Sequence, residues 1–176
     1  MLERVAGKRM KIIFLDFDGV LTSVDSMVAF WHLNRNEHHN EDRLDPVCVG
    51  LIRHLCEKTG AKVVVSSVWR IGRTEQDFLD IFKQYGWDDF PYAGQTPISR
   101  ERIRGQEIQT WLNQNPVDTY VIFDDDSDML ESQLGNFIHV SNINGFRSQH
   151  YVKALRLLGH PDERLEHQVN FVRKQQ

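Results

Sequence analysis

At 176 residues, with 40% apolar and 26% charged side chains, the chain can bury a sizeable core without disulfide or metal staples, which excludes disordered and collagen-like classes. No apolar stretch is long enough to cross a bilayer, and Met1 to Met10 lack the apolar core of a signal peptide, so a cytoplasmic protein without membrane contact is expected. A net charge of -4 argues against a broadly basic nucleic-acid surface but leaves room for a local basic patch.

The first element is the apolar run Lys11-Ile12-Ile13-Phe14-Leu15, which stops abruptly at Asp16-Phe17-Asp18-Gly19. Strand periodicity points Asp16 and Asp18 to one side and Phe17 back into packing. Paired carboxylates at the end of a buried strand repel each other unless a cation or a reacting group compensates, so the pair marks an active site. Gly19 lets the backbone turn and approach a ligand closely. Residues 23–44 are polar and weakly periodic and read as an inserted loop or small flap, with Phe30 and Trp31 as its lid or anchor. His32, His38 and His39 read as solvated side chains there, not as zinc ligands.

Asp45 and Pro46 open a helix whose Val47, Leu51, Ile52 and Leu55 form an apolar stripe up to Gly60. Cys48 and Cys56 fall about two turns apart on it, too far for a disulfide, and are expected as plain thiols. Ala61 to Val65 is a second buried strand, ending at Ser66-Ser67. Thr74 caps a helix with Phe78, Ile81, Phe82 and Tyr85 on one face and Gly86 at its stop, and residues 87–102 read as irregular. A helix with Ile108, Trp111 and Leu112 ends at Asn115-Pro116. Tyr120 to Phe123 is a third strand, running into Asp124-Asp125-Asp126-Ser127-Asp128. Phe137 to Val140 makes a fourth, in which His139 is expected as an interior imidazole. A helix with Val152, Leu155 and Leu158 reaches Gly159, and a last one at 162–174, with Leu165, Val169 and Val172, is expected to pack on the rest, with a partner-binding tail as the alternative.

Strand alternating with helix implies an α/β fold, a three-layer Rossmann-like parallel sheet with helices on both faces, in a single domain over 1–176. Ligands of such sheets bind beyond the carboxyl ends of the strands. Asp16-x-Asp18, Ser66-Ser67 and the acidic run 124–128 therefore meet at one edge. Carboxylate oxygens in this density suit Mg²⁺, and a strand-end hydroxyl with a nearby Lys or Arg suits a phosphoryl group.

With these residues the chain resembles the haloacid dehalogenase (HAD) superfamily of phosphohydrolases. Asp16-Phe17-Asp18-Gly19-Val20 matches its first motif, Val63-Val64-Val65-Ser66 its second, and Val121-Ile122-Phe123-Asp124 with Asp125 and Asp128 its fourth, over about residues 11–159. The resemblance implies that Asp16 attacks phosphorus to form an aspartyl-phosphate and that Asp18 protonates the leaving oxygen and later deprotonates water. It implies that Ser66 holds a phosphoryl oxygen, with Gly19, Ser67, Arg70 and Arg102 toward the substrate. Mg²⁺ would lie between Asp16, the backbone carbonyl of Asp18 and Asp124, with Asp125 or Asp128 orienting its waters. The third motif departs from the usual Lys: Arg104 stands before Gly105, with Arg100 and Arg102 as rivals.

Family members usually carry cap insertions after the first motif or between the second and third. Both gaps are short here, so a capless or nearly capless protein with an open site is implied. Ser66-Ser67-Val68-Trp69-Arg70 resembles HAD domains associated with RNA repair. Arg70, Arg73, Arg100, Arg102 and Arg104, with Trp69 and Tyr92, then form either a basic and aromatic rim for a polynucleotide end or, equally compatible with the sequence, solvated helix-face charges and core aromatics. The alternatives are a non-catalytic binding or scaffold module on the same fold, or a phosphotransferase to an acceptor other than water. The intact pair Asp16 and Asp18 favours the enzyme.

Overall fold

The computed structural model describes residues 10–33 and 43–173. In chain order its elements are β1 (Met10–Leu15), α1 (Val24–Leu33), α2 (Pro46–Thr59), β2 (Lys62–Val65), α3 (Glu75–Lys83) and β3 (Tyr92–Gln95). There follow α4 (Arg104–Gln114), β4 (Val117–Asp124), β5 (Phe137–His139), α5 (Ser148–Leu157) and α6 (Glu163–Arg173). Short 3-10 turns lie at Val68–Arg70 and Glu131–Asn136. The five strands are all parallel, in the order β3-β2-β1-β4-β5.

The inner strands are apolar on both sides because both sheet faces are covered. Ile13, Leu15, Val63, Val65, Val121 and Phe123 face the larger core, which holds Ile52 and Leu55 of α2, Phe78 and Phe82 of α3, and Leu155 of α5. Ile12, Phe14, Val64 and Ile122 face Ile108 and Trp111 of α4. Three layers result, as the alternation of elements implies. Leu165 and Val169 of α6 pack against the larger core as expected, while the side chain of Val172 is outside the described residues. No helix among the described residues is long and apolar enough to cross a membrane.

Two segments differ from their sequence reading. The expected loop at 23–44 contains α1, started by a reciprocal pair in which Ser26 N donates to Ser23 Oγ (3.2 Å) and Ser23 N to Ser26 Oγ (3.0 Å). Val24, Met27, Val28 and Trp31 form a helical stripe that is exposed, so the segment lacks the usual inward-facing signature. His32 is exposed, whereas His38 and His39 are outside the described residues. The expected irregular stretch 87–102 contains β3, a four-residue edge strand of Tyr-Ala-Gly-Gln. Among the described residues it pairs only with β2, and it shifts register between Val63 and Val64, so it shows neither alternation nor an apolar run.

Asp45 caps α2, its carboxylate accepting from Val47 N at 2.8 Å, and also pairs with Arg147 (3.1 Å). Cys48 lies beneath this pair, with Arg147 Nη1 2.9 Å from its sulfur. Burial pushes the Cys48 thiol up to about 11 and the Cys56 thiol up to about 12. Both thiols are therefore expected to resist alkylation by iodoacetamide near neutral pH in the native protein and to react once it is unfolded in urea. Rapid native modification of either, read by mass spectrometry, would contradict this packing.

Candidate active site

Strand register decides which polar side chains meet. Phe14 pairs with Val64 on one side and Ile122 on the other, and all three face α4. The ladder continues through Ser66 N to Leu15 O (3.0 Å) and Asp16 N to Phe123 O (3.0 Å). Two residues beyond that apolar row, Asp16, Ser66 and Asp124 therefore stand in a row of their own at the strand ends. The strand order reverses between β1 and β4, and Asp16 and Asp124 flank that switch point.

One carboxylate oxygen from each of Asp16, Asp124 and Asp125 lies within 4.8 Å of the other two. Burial, reinforced by Asp124, raises Asp16 from 3.8 to about 8, against the pull of Arg104. Asp124 is raised to about 6, again chiefly by burial. Burial and Asp126 also raise Asp125. Arg104, the first residue of α4, bridges two of the three: its Nε donates to Asp124 Oδ2 at 3.0 Å and its Nη2 to Asp16 Oδ1 at 3.4 Å. One guanidinium against three carboxylates leaves excess negative charge in an oxygen-only, largely buried set. That donor chemistry fits a hard divalent cation such as Mg²⁺.

Two glycines make the close approach of these segments possible. An added Cβ at Gly19 would fall 2.4 Å from the Asp125 carboxyl carbon, and its φ is +74°. Among the described residues it is therefore the Asp125 side chain that lies against Gly19. At Gly105 an added Cβ would fall 2.5 Å from Leu130 N and 3.0 Å from Asp128 O, so α4 begins pressed against the loop after β4.

The remaining sequence candidates have distinct positions. β1 ends at Leu15, so strand alternation does not extend to Asp18. Asp18 is exposed, its carboxylate accepts from Trp69 Nε1 (2.9 Å), and it is not one of the three clustered acids, although its charge helps to raise Asp125. Asp128 is also outside that cluster. Its Oδ2 accepts from Arg104 N at 2.8 Å and so caps α4, whose own N-cap Ile103 has no side-chain acceptor. Ser66 Oγ is buried with no hydrogen-bond partner among the described residues, whereas the Ser67 hydroxyl accepts from Trp69 N (3.3 Å) and favours the ionised form of Asp16.

Arg70 is not on the rim. It is buried and spends all five N–H donors on Thr96 O, Ser66 O, Ser67 O, Pro97 O and Glu107 Oε2. The two aromatics named with it are half-buried. Trp69 is covered by the Arg73 guanidinium (4.8 Å) and packed on Phe17, and Tyr92 is stacked on Phe78. Arg100 and Arg102 are exposed on the loop before α4. His139 is exposed at the sheet edge rather than interior, because among the described residues β5 pairs only with β4, and its Nε2 lies 2.8 Å from Asp125 O.

Sequence reasoning missed Glu107, which is buried, joins Arg70 at 2.6 Å and accepts from Ser99 N at 2.8 Å. Its signal is position: one turn after Arg104 on the sheet-facing side of α4.

Residues 12–151 match the family model described as the HAD domain in Swiss Army Knife RNA repair proteins. The chain belongs to this family. No curated protein and no solved structure matches it. Membership places this HAD domain within a phosphohydrolase-type superfamily and agrees with the parallel sheet and its strand-end acids.

Two stability predictions follow from this geometry. Arg70→Met takes from the buried Glu107 its 2.6 Å partner, leaving the longer 3.9 Å contact to Arg104, and strands the carbonyls that Arg70 serves, so it is expected to cost about 3–5 kcal/mol in denaturant unfolding, with a loss under about 1 kcal/mol contradicting the strut. In the folded, metal-free protein Asp16 keeps its proton up to about pH 8, whereas the unfolded chain releases it near 3.8. The folded state thus binds more protons across that window, and stability should fall as pH rises through it. Thermal melts in chelator should show that decline flattened in Asp16→Asn. A wild-type melting temperature that rises through the window would contradict the burial of a compressed charge.

Proposed function

We propose that this HAD domain is a Mg²⁺-dependent phosphatase that hydrolyses a phosphomonoester at a polynucleotide end, with Asp16 as nucleophile. The carrying observation is the cluster of Asp16, Asp124 and Asp125 with Arg104 bonded to two of them. A divalent cation held by those three carboxylates would supply positive charge that favours their ionised forms and offsets the charge of the phosphoryl group.

The chain's own residues divide the remaining work. Asp16 Oδ attacks phosphorus, and the bond to the leaving oxygen breaks as that oxygen takes a proton from Asp18. Water then attacks the aspartyl-phosphate, Asp18 takes its proton, and the bond to Asp16 breaks to restore the carboxylate. Ser66 offers a phosphoryl oxygen a buried hydroxyl that has no partner among the described residues. Arg104 neutralises charge on the transferring group from its place beside Asp16. A large substrate is supported by the RNA-repair description of the family and by the short gaps around the site. Only α1 and residues 34–42 separate Thr22 from the segment entering α2, and only α3 and β3 separate the Val68–Arg70 turn from α4. Arg100 and Arg102 are exposed where an approaching backbone would pass.

Asp16→Asn is expected to abolish Mg²⁺-dependent release of phosphate while still unfolding in a single cooperative transition, both measured on one preparation. Retained turnover in that variant would remove the covalent route. In competition, 3′-phosphorylated oligonucleotides should be cleaved ahead of sugar phosphates, and preference for a small sugar phosphate would overturn the open-site reading.

A further inference from the structure

We propose that Trp69 is a positioning residue for Asp18, holding it for proton transfer through its indole N–H. The assignment rests on the reading of Asp18 as proton donor and acceptor given above. Asp18 is exposed on the turn after β1, so no strand or core packing fixes its rotamer. Thr22 Oγ1 reaches its Oδ1 only at 3.4 Å. The short bond is Trp69 Nε1 to Asp18 Oδ2 at 2.9 Å.

The indole is itself held from several sides. Phe17 packs against the ring with centroids 5.2 Å apart, the Arg73 guanidinium carbon lies 4.8 Å from its centroid, and Trp69 N donates to Ser67 Oγ. The next residue, Arg70, is fastened to the backbone carbonyls of Ser66 and Ser67. The turn that ends β2 is thus the one that offers the Trp69 indole to Asp18.

An indole N–H suits this task because it donates and cannot accept, so it does not compete for the proton. Held at Oδ2, the carboxyl keeps Oδ1 for transfer: its proton goes to the leaving oxygen as the P–O bond breaks, and the same carboxylate later takes a proton from water. Holding the group within reach of the reacting oxygen removes a search over rotamers that an exposed Asp would otherwise make at each turnover.

Trp69→Phe removes the N–H and keeps an aromatic ring between Phe17 and Arg73. The value of kcat/KM reports the steps up to phosphorylation of Asp16, and only a poor leaving group needs a proton there. In Trp69→Phe, kcat/KM for a simple alkyl phosphate should fall about tenfold or more, while that for 2,4-dinitrophenyl phosphate should change less than about threefold. Equal falls for both substrates would mark a merely structural role and overturn the assignment, as would no fall for either. Independently of that variant's folding, the Trp69 indole N–H resonance in the wild-type NMR spectrum should be displaced in Asp18→Asn. An unmoved resonance would overturn the contact. Asp18→Asn also separates the two levels of the argument. If it spares alkyl phosphate cleavage, or if the wild-type protein cleaves neither substrate, the proton-transfer reading falls and this assignment with it. If Asp18→Asn is selective and Trp69→Phe is not, only the assignment falls.

Discussion

The contact on which the site depends is the one between Arg104 and the carboxylates of Asp16 and Asp124. Parallel register delivers these two acids to adjacent strand ends, and Asp125 follows in sequence, so three like charges gather where water is largely excluded. Left alone, such a group sheds its charge by holding protons, which is the direction in which all three acids are shifted. A carboxylate that keeps its proton is a poor nucleophile. The site therefore needs positive charge at this point, and Arg104 supplies the protein's own share of it.

Much of the surrounding architecture serves to place that guanidinium. Arg104 begins α4, and the start of α4 is fixed by the Asp128 carboxylate on its first N–H and by Gly105 pressed against the loop after β4. One turn on, Glu107 points down into the buried ion pair with Arg70, which in turn fastens the ends of β2 and β3. Loops that follow four different strands are thus tied to one helix end. Arg rather than Lys at 104 fits this arrangement, because a planar fork can address two carboxylates from one position.

What was legible in the sequence is what repeats with a period. Runs such as Ile12 to Leu15 and Val63 to Val65, and the capped stripe from Asp45 to Gly60, give β1, β2 and α2 because burial on both sheet faces and helix capping leave marks in the residue order. The strand-end positions of Asp16, Ser66 and Asp124 followed from the same logic. Exceptions arose where tertiary contacts override the pattern. α1 turns Val24 and Val28 outward, β3 is too short to alternate, and Asp18 lies beyond the end of its strand. Spacing alone could not assign the five arginines, since a buried strut at Arg70 and an exposed charge at Arg102 look alike in a sequence. Nor could it choose among the acids after β4, where Asp125 joins the cluster and Asp128 caps a helix instead.

The central claim is that Asp16, Asp124 and Asp125 share a single divalent cation beside Arg104. Crystals soaked in Mn²⁺, used as a substitute for Mg²⁺, test it most directly through anomalous scattering. The account predicts one dominant anomalous peak within ligand distance of all three carboxylates. A peak elsewhere on the molecule, with none between these acids, would contradict it.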